Sequence, residues 1–440
     1  MKVVSLHSVL CPSVSLCRNA LQSRYSLIMA DKKPRILILT QYYVPESGAP
    51  QNRWHSLATR LADLGHKVSV LTAMPNYPTG RIFDGYRGKL FHREQMGKID
   101  VHRTWLYATP SKKMSRRLIN YFSFAWMSLL YGLLAIRSID LLIYESPPLF
   151  LGPCAWLLAR LKGARCVMNV SDLWPESAVA LGMISRESKA NRIAEKLEMW
   201  LYRHSDAVTG QTEGIVESIS RRVPGKRVAL FPNGVDLEMF TPLPADASMA
   251  RQLGLEGKFV VGYGGIIGYA QALEQVLAAA ELLKDEPRVV FAFFGDGPVK
   301  SDLIAEVRVR GLDNVRFFER QDRTAMPKVI SLWNVGLVPL ADKPLFDGAR
   351  PSKMFELMGQ GKAILFCGRG EGAQIVSKNQ CGIVVAPEKP AELAAAVRQS
   401  LADEAGLEQM GRNARVTGQE QFDRAKIAQR ISDLFVSLTA

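Results

Sequence analysis

The sequence predicts an α/β protein with two Rossmann-like, doubly wound domains that face each other across a cleft. Three observations support this fold class. Short apolar runs alternate with helical segments from Pro34 onward, which is typical of a parallel sheet covered by helices on both faces. The alternation stops in the proline-rich stretch 231–244 and then restarts. The chain has 440 residues, which is more than a single hydrophobic core usually holds.

The elements follow in order along the chain. In the first half, the predicted strands are 35–40, 67–72, 140–144, 165–170, 206–209 and 227–231. A helix is predicted from about Asn52 to Leu64, where Gly65 ends it. In the second half, the predicted strands are 258–262, 289–295, 315–319, 335–340, 363–367 and 382–385, with helices between them. Segment 392–438 is predicted to be helical throughout.

These elements predict a first domain at residues 34–235 and a second domain at 236–415. A last helix, 416–440, is expected to pack back on the first domain. Residues 1–33 differ from the rest, because polar residues and a proline interrupt their few apolar residues and leave no clean signal peptide. We expect this extension to be disordered, or to precede the true start of the protein at Met29.

Composition excludes several protein classes. A chain that is 48% hydrophobic and 22% charged is neither disordered, nor collagen-like, nor a disulfide scaffold. The net charge of +14 lies entirely in residues 1–240, which indicates an anionic partner such as nucleic acid, anionic lipid or a phosphorylated substrate. The six cysteines form no CxxC pair, which favours free thiols in a reducing compartment. The scattered histidines and the lack of an Asp-x-Asp pair predict no protein-held metal.

One uncharged segment begins at Leu118 and ends at Ile136. Its length approaches that of a membrane span, but a span would separate two halves of one parallel sheet. A buried core helix and a helix lying in the lipid headgroup region remain as alternatives. Residues 81–137 contain eleven basic and three acidic residues, which favours the helix on an anionic membrane surface.

The strongest local pattern is RPSKMFELMGQG, residues 350–361. Ser352 is a suitable N-cap and Gly361 a suitable helix end. Arg350 and Lys353 oppose the helix dipole, unless an anion such as a phosphate occupies the helix N-terminus. Glu356 lies one turn further on, where its carboxylate can accept hydrogen bonds from ribose hydroxyls. The alternative is a solvated helix start with ordinary charges.

Four further loops follow predicted strands: Tyr42–Pro50, GYGGIIG at 262–268, GDGP at 295–298 and SDLWPES at 171–177. Glycines allow backbone N–H groups to approach a pyrophosphate, although each glycine loop taken alone is equally a tight turn. A lone Asp or Trp in such a loop is more often structural. The case for a site is that all these loops lie at carboxyl ends of strands, where a doubly wound fold binds its ligands.

Taken together, these motifs resemble a known family. The runs PESGAP, LGHKVSVLT, PNYPTGRIFDGYRG, SDLWPESAVALG, PNGVD, GDGP and PSKMFELMGQGK are similar to family 4 retaining glycosyltransferases of the GT-B fold. The most similar group is the WbuB-like enzymes of bacterial surface polysaccharides, such as colanic acid and O-antigen. The resemblance extends from about Arg35 to the C-terminus.

The resemblance implies a sugar-nucleotide donor (UDP- or GDP-linked) in the second domain, an acceptor in the first, and neither a metal nor a cofactor. Under this reading the catalytic residues are Glu356, Lys353, Arg350 and Glu145. The donor-binding residues are Gly264, Gly265, Gly268, Gly295, Asp296, Gly297, Ser352 and Glu356. The acceptor-binding residues are Gly48, Arg53, Asp172, Trp174 and Glu176.

The sequence departs from the family pattern at several positions. The first glutamate of the paired-glutamate motif is replaced by Gly348. The usual phosphate-binding Arg and Lys fall near Gly265 and Ala270, so Arg350 and Lys353 are expected to take their place. The slot of the family's histidine is occupied by Glu145, either as a residue that orients the donor sugar or as an ordinary strand-end carboxylate.

The implied reaction transfers a sugar, with retention of configuration, to a glycan on a polyprenyl diphosphate during bacterial exopolysaccharide, O-antigen or capsule synthesis. The enzyme would lie peripherally on the cytoplasmic face of the inner membrane. One alternative is a sugar-nucleotide epimerase of the same fold. A further alternative is a nucleic-acid-binding protein. The lack of interleaved aromatic and basic residues in the sequence argues against it.

Overall fold

The computed structural model describes residues 33–46, 48–111, 113–180 and 182–440. The expectations for residues 1–32 lie outside this range. The described residues form two α/β domains, each built around one mainly parallel sheet with helices on both faces. The predicted fold class is therefore confirmed.

The first sheet has the strand order β3-β4-β2-β1-β5-β6-β7-β8. Its strands are β1 (Arg35–Leu39), β2 (Lys67–Ala73), β3 (Phe91–Met96), β4 (Ile99–Thr104), β5 (Leu141–Ser146), β6 (Arg165–Val170), β7 (Ala207–Gly210) and β8 (Val228–Leu230). All neighbours are parallel except β3 and β4, an antiparallel edge pair that the sequence reading missed. The central strand β5 is buried along its whole length, which explains why it begins with the apolar run 141–144.

The helices of the first domain cover both faces of this sheet. They are α1 (Ala49–Asp63), α2 (Met114–Ala135), α3 (Leu151–Leu161), α4 (Glu176–Ala180), α5 (Lys189–His204) and α6 (Glu213–Arg222). Trp54 and Leu61 of α1 are fully buried in one core, beneath β1. Leu158 of α3 is buried in the core on the opposite face. The first domain therefore has two hydrophobic cores separated by its sheet.

Helix α2 is buried on one side only. Phe124, Ala125 and Leu129 contribute to the first-domain core, and a Cβ at Gly132 would collide with the side chain of Leu158 in α3. The other side of α2 exposes large apolar side chains: Ile119, Phe122, Trp126, Leu130, Leu133 and Leu134. By length and composition the helix could cross a membrane. Because one side is packed and the other is exposed, α2 is not a fully buried core helix.

The second sheet is parallel throughout, with the order β11-β10-β9-β12-β13-β14. Its strands are β9 (Phe259–Ile266), β10 (Val289–Asp296), β11 (Val315–Phe318), β12 (Val335–Pro339), β13 (Ala363–Cys367) and β14 (Gly382–Val385). Its helices are α7 (Ala247–Gln252), α8 (Glu274–Glu281), α9 (Lys300–Arg310), α10 (Met326–Ser331), α11 (Ser352–Gln360), α12 (Glu371–Lys378) and α13 (Pro390–Ala402). Two apolar cores flank this sheet.

The sequence analysis expected one continuous helical segment at 392–438, but the structure has three separate helices there. Asp403 caps a new helix, α14 (Glu404–Gln421), by accepting a hydrogen bond from the Gly406 N–H. Asp423 caps the last helix, α15 (Arg424–Thr439), by accepting from the Ala425 N–H. Both breaks are explained by aspartate N-caps, which favour a helix start over continuation of the preceding helix.

Helix α15 lies against the first domain. Its buried residues Ile427, Ile431 and Phe435 belong to the core that also contains Trp54 of α1. The ring Nε2 of His66 lies 2.7 Å from the Ser432 hydroxyl, which adds a polar contact between this helix and the first domain. The C-terminal helix thus bridges the two domains and helps to set their relative position.

Candidate active site

A cavity of about 940 Å³ lies between the two domains at the carboxyl ends of their strands. The first domain lines it with the start of α2 and with loops after β5, β6 and β7. The second domain lines it with Ala270, Gln271, the loop before α11 and Glu371. This position agrees with the rule that doubly wound sheets bind ligands at their strand ends.

The structure brings Lys353 and Glu356 together near the start of α11. Ser352 is the first helical residue rather than the N-cap, so the predicted capping role of Ser352 is wrong. Pro351 holds the N-cap position and has no side-chain donor or acceptor for the first turn. Lys353 and Glu356 thus lie in the first turns of a helix that has no side-chain cap.

Lys353 is a cation in an unfavourable environment. Its ammonium lies 3.6 Å from the centre of the Tyr263 ring, over the aromatic face. Burial lowers the pKa of Lys353 to about 7, and the nearby Glu356 carboxylate only partly opposes this shift. Desolvation destabilises the charged form of this lysine, so an anion that binds beside the ammonium stabilises it strongly.

Glu356 is surrounded by cations that the sequence analysis did not single out. The Nε atom of Arg323 lies 4.0 Å from its Oε1 atom, and Arg424 and Lys353 also stabilise its charged form. Burial nevertheless raises the pKa of Glu356. Within the described residues, Arg323 Nε and Arg424 Nη1 are buried and lack hydrogen-bond partners. This cluster therefore has unused donors and more positive than negative charge.

Arg350 occupies a different position from Lys353. Its side chain is only 3% exposed, and its Nη2 atom lies 2.7 Å from Glu371 Oε2. It also contacts the Glu213 carboxylate in the first domain, and the Gly214 N–H donates to Glu371 Oε1 at 2.9 Å. Arg350 thus joins the two domains at one edge of the cavity, with its charge compensated by two carboxylates.

The predicted donor glycines lie at the ends of β9 and β10. A Cβ at Gly295 or Gly297 would collide with the backbone carbonyl of Gly265 or Ile267, so these two glycines allow the loops to pack together. Gly265 has φ +135°, which favours glycine, and it faces the Lys353 side chain. Of the other predicted donor residues, Gly264 lies in the last part of β9 and Gly268 lies just after this strand. Asp296 accepts a hydrogen bond from the Gly297 N–H.

On the first-domain side, Glu145 is held in a closed polar network. Its Oε1 accepts from Arg53 at 3.1 Å and from the Ser171 hydroxyl at 3.2 Å. Its Oε2 accepts from the Thr40 hydroxyl at 2.8 Å. Arg53 is fully desolvated, which lowers its pKa, and Glu145 is its main opposing charge. This geometry favours the interpretation of Glu145 as a structural partner of Arg53.

The remaining acceptor-side predictions differ in position. Asp172, Trp174 and Glu176 all line the cavity. Desolvation raises the pKa of Asp172, and the positive charge of Arg53 partly offsets this effect. Gly48 precedes α1, where its carbonyl accepts from the Asn52 N–H at 3.1 Å. The segment after β6 therefore supplies two carboxylates and an indole to this side of the cavity.

Replacing Glu145 by alanine is expected to lower the free energy of unfolding by about 3–5 kcal/mol, because the substitution leaves the buried Arg53 guanidinium without its counter-charge. Urea denaturation measures this quantity. Glu217→Ala, which removes an exposed carboxylate from α6, is the matched control and should change it by less than about 0.5 kcal/mol. A stable but inactive Glu145→Ala protein would instead favour a direct role of Glu145 in chemistry.

Comparisons with known proteins show the family of the chain. Residues 48–234 match the family described as Glycosyl transferase 4-like domain, and residues 246–417 match Glycosyl transferases group 1. Over 379 residues the chain is 30% identical to the putative colanic acid biosynthesis glycosyl transferase WcaI of Escherichia coli strain K12. This alignment covers 83% of the chain and 92% of WcaI.

Two solved structures share the fold. Sucrose-phosphate synthase from Thermosynechococcus elongatus superposes with a TM-score of 0.71 at 20% identity, covering 92% of this chain and 99% of that one. Anabaena HepE in complex with UDP-glucose gives 0.66 at 17% identity, covering 92% of this chain and all of HepE. Together with the sequence matches, these findings show that the chain belongs to the family 4 glycosyltransferases of the GT-B fold that act in surface polysaccharide biosynthesis.

Proposed function

We propose that the protein transfers a sugar, with retention of configuration and without a metal, from a nucleotide-diphosphate sugar to a glycan carried on polyprenyl diphosphate. The observation that carries this proposal is the arrangement of the cavity. On one side it is lined by the loop that leads into α11, just before Lys353, and on the other by the start of α2, a helix with an exposed apolar face. The product would serve bacterial exopolysaccharide, O-antigen or capsule synthesis.

The donor diphosphate is assigned to the second domain, beside Lys353. An ammonium poised in a desolvated site stabilises the charge that develops on a leaving diphosphate. Arg323 and Arg424 carry unused donors close to Glu356, whose carboxylate is assigned to the ribose hydroxyls. The UDP-glucose complex of HepE supports a nucleotide-diphosphate sugar as the class of donor.

The transfer itself needs no strong protein base in this proposal. The leaving phosphate takes the proton of the acceptor hydroxyl while the new glycosidic bond forms on the same face of the sugar. Glu145 is paired with Arg53, and Asp172 is assigned to binding of the acceptor glycan. Retention is checked by the anomeric configuration of the product in NMR spectra, and metal independence by undiminished turnover in EDTA.

A screen of UDP- and GDP-linked sugars against a polyprenyl-diphosphate monosaccharide, read by mass spectrometry, tests the proposed function. The expected product is the acceptor plus one sugar. Accumulation of an epimerised donor in the absence of acceptor would favour the epimerase alternative. Lack of transfer to any lipid-linked acceptor, with transfer to a soluble sugar, would overturn the assigned acceptor class.

The binding of the donor is expected to weaken as pH rises above about 7, because the free protein then loses the Lys353 proton that the diphosphate requires. The limiting slope is about tenfold in Kd per pH unit. Calorimetric titration with UDP-glucose between pH 6.5 and 9 measures this, and proton uptake should accompany binding at pH 8. Lys353→Met should remove the dependence, and a Kd that stays constant or improves with pH would contradict the assignment.

Attachment to the membrane is assigned to the exposed face of α2, flanked by Arg116 and Arg117. The double substitution Trp126→Glu and Leu134→Glu should weaken binding to anionic liposomes by about 100-fold or more, because each side chain contributes roughly 1.5–3 kcal/mol when buried in lipid. Liposome co-sedimentation measures the loss. Val309→Glu alters an equally exposed apolar residue in the second domain and should have little effect. Unchanged binding of the double variant would refute this surface.

A further inference from the structure

We propose that Phe122, Phe150 and Trp174 form an aromatic track that binds the polyprenyl chain next to its diphosphate. The track would lead the lipid-linked acceptor from the outer face of α2 into the cavity. This inference rests on the proposed function and deepens it, because it names the residues that recognise the lipid part of the acceptor.

The three rings form a continuous series of contacts. The ring centres of Phe122 and Phe150 lie 4.8 Å apart, and those of Phe150 and Trp174 lie 5.6 Å apart. Phe122 is 43% exposed on the apolar outer face of α2, whereas Phe150 and Trp174 line the cavity. The series therefore joins the proposed membrane surface to the proposed site of transfer.

The chemistry of the surrounding wall fits a hydrocarbon better than a sugar or a nucleotide. Near Phe150 and Trp174, the first domain contributes further apolar side chains to the cavity: Leu118, Pro147, Pro148, Leu149, Leu173 and Met183. Sugars and nucleotides are bound mainly through hydrogen bonds, which these side chains do not provide. An isoprenoid chain would remove this apolar surface from water and gain from aromatic contacts.

The start of α2 supplies positive charge to the same cavity. Arg117 lines the cavity at the start of α2, and its Nη2 donates to the Tyr121 hydroxyl at 3.3 Å. Lys113 and Arg116 are exposed on the neighbouring turn. The cavity thus has both an apolar wall and a cation, the two features that a lipid chain and its diphosphate require.

The test compares two acceptors with the same sugar diphosphate, one on a long polyprenyl chain and one on a hexyl chain, both in detergent micelles. Wild-type protein should have a KM at least about tenfold lower for the polyprenyl acceptor. Phe150→Ala should raise that KM by about tenfold, while kcat and the KM for the hexyl acceptor stay the same. Phe150→Leu, which keeps an apolar side chain, should restore part of the difference.

The matched control is Phe91→Ala, which removes another exposed aromatic ring packed against α2, through Tyr131, without lining the cavity. Its KM should equal that of the wild type for both acceptors. Arg117→Gln should raise the KM for both acceptors, since both contain the diphosphate. Melting temperatures identify any variant whose fold is weakened.

Two results would overturn the track. One is a wild-type protein that uses both acceptors equally well, and the other is a Phe150→Ala protein whose KM changes by the same factor for both. Absence of transfer to either acceptor, with a soluble sugar still accepted, would instead overturn the proposed acceptor class and the track with it. Failure of the lipid subsite and failure of the proposed function are thereby distinguished.

Discussion

Replacement of Lys353 by methionine is expected to lower kcat/KM for sugar transfer by about 100-fold or more while raising the melting temperature by a few degrees. The loss of rate follows from removing a preorganised cation beside the leaving diphosphate. The gain in stability follows from the low pKa of this lysine, about 7, because the folded protein holds the charged form less well than the unfolded chain does.

The pH dependence of the unfolding free energy separately tests whether the folded protein disfavours the charged form of Lys353. Between the folded pKa of about 7 and the higher pKa of an unfolded lysine, the unfolded chain binds more protons, so this group makes the protein more stable as pH rises. Lys353→Met should remove this part of the slope in thermal unfolding curves.

The control for this pair of measurements is Lys378→Ala, which removes an exposed lysine at the end of α12. Its turnover and melting temperature should stay near those of the wild type. Near-normal turnover of the Lys353→Met protein would contradict the assignment of Lys353 to the active site. A protein that loses both activity and stability would show that Lys353 serves mainly to hold the fold.

The fold was predictable because buried parallel strands require continuous apolar sequence. β6, β13 and β14 have the same limits in sequence and structure. The edge pair β3 and β4 was missed because β3 alternates exposed and half-exposed residues and carries polar side chains. An edge strand has one free side and one neighbour, so its sequence lacks the apolar run by which the central strands are recognised.

The site was predictable only where it is local in sequence. Lys353 and Glu356 lie one turn apart on α11, so a single motif contains both. Arg323 follows β11 and Arg424 begins α15, so these two arginines reach Glu356 from segments that are distant in sequence. The ion pairs of Arg350 could not be predicted from the sequence, because Glu213 belongs to the other domain and Glu371 lies 21 residues away.

Replacement of Glu356 by alanine is expected to abolish measurable transfer, with the fold retained. The substitution removes the carboxylate that interacts with Lys353, Arg323 and Arg424, and it removes the proposed acceptor of the ribose hydroxyl hydrogen bonds. Glu356→Gln keeps the shape and one acceptor oxygen. Its KM for the donor should rise by about 10- to 100-fold, the range for loss of a charged hydrogen bond.

A cycle of substitutions on both protein and ligand separates the ribose contact from the electrostatic effect. Wild-type and Glu356→Ala proteins are titrated with UDP and with 2′,3′-dideoxy-UDP, and four Kd values are compared. If the carboxylate binds the ribose hydroxyls, Glu356→Ala weakens UDP binding by about tenfold or more but leaves dideoxy-UDP binding nearly unchanged. Equal losses for the two nucleotides would contradict the ribose assignment. Equal gains for both would mean that Glu356 acts only by neutralising Lys353, Arg323 and Arg424, which would otherwise attract the diphosphate more strongly.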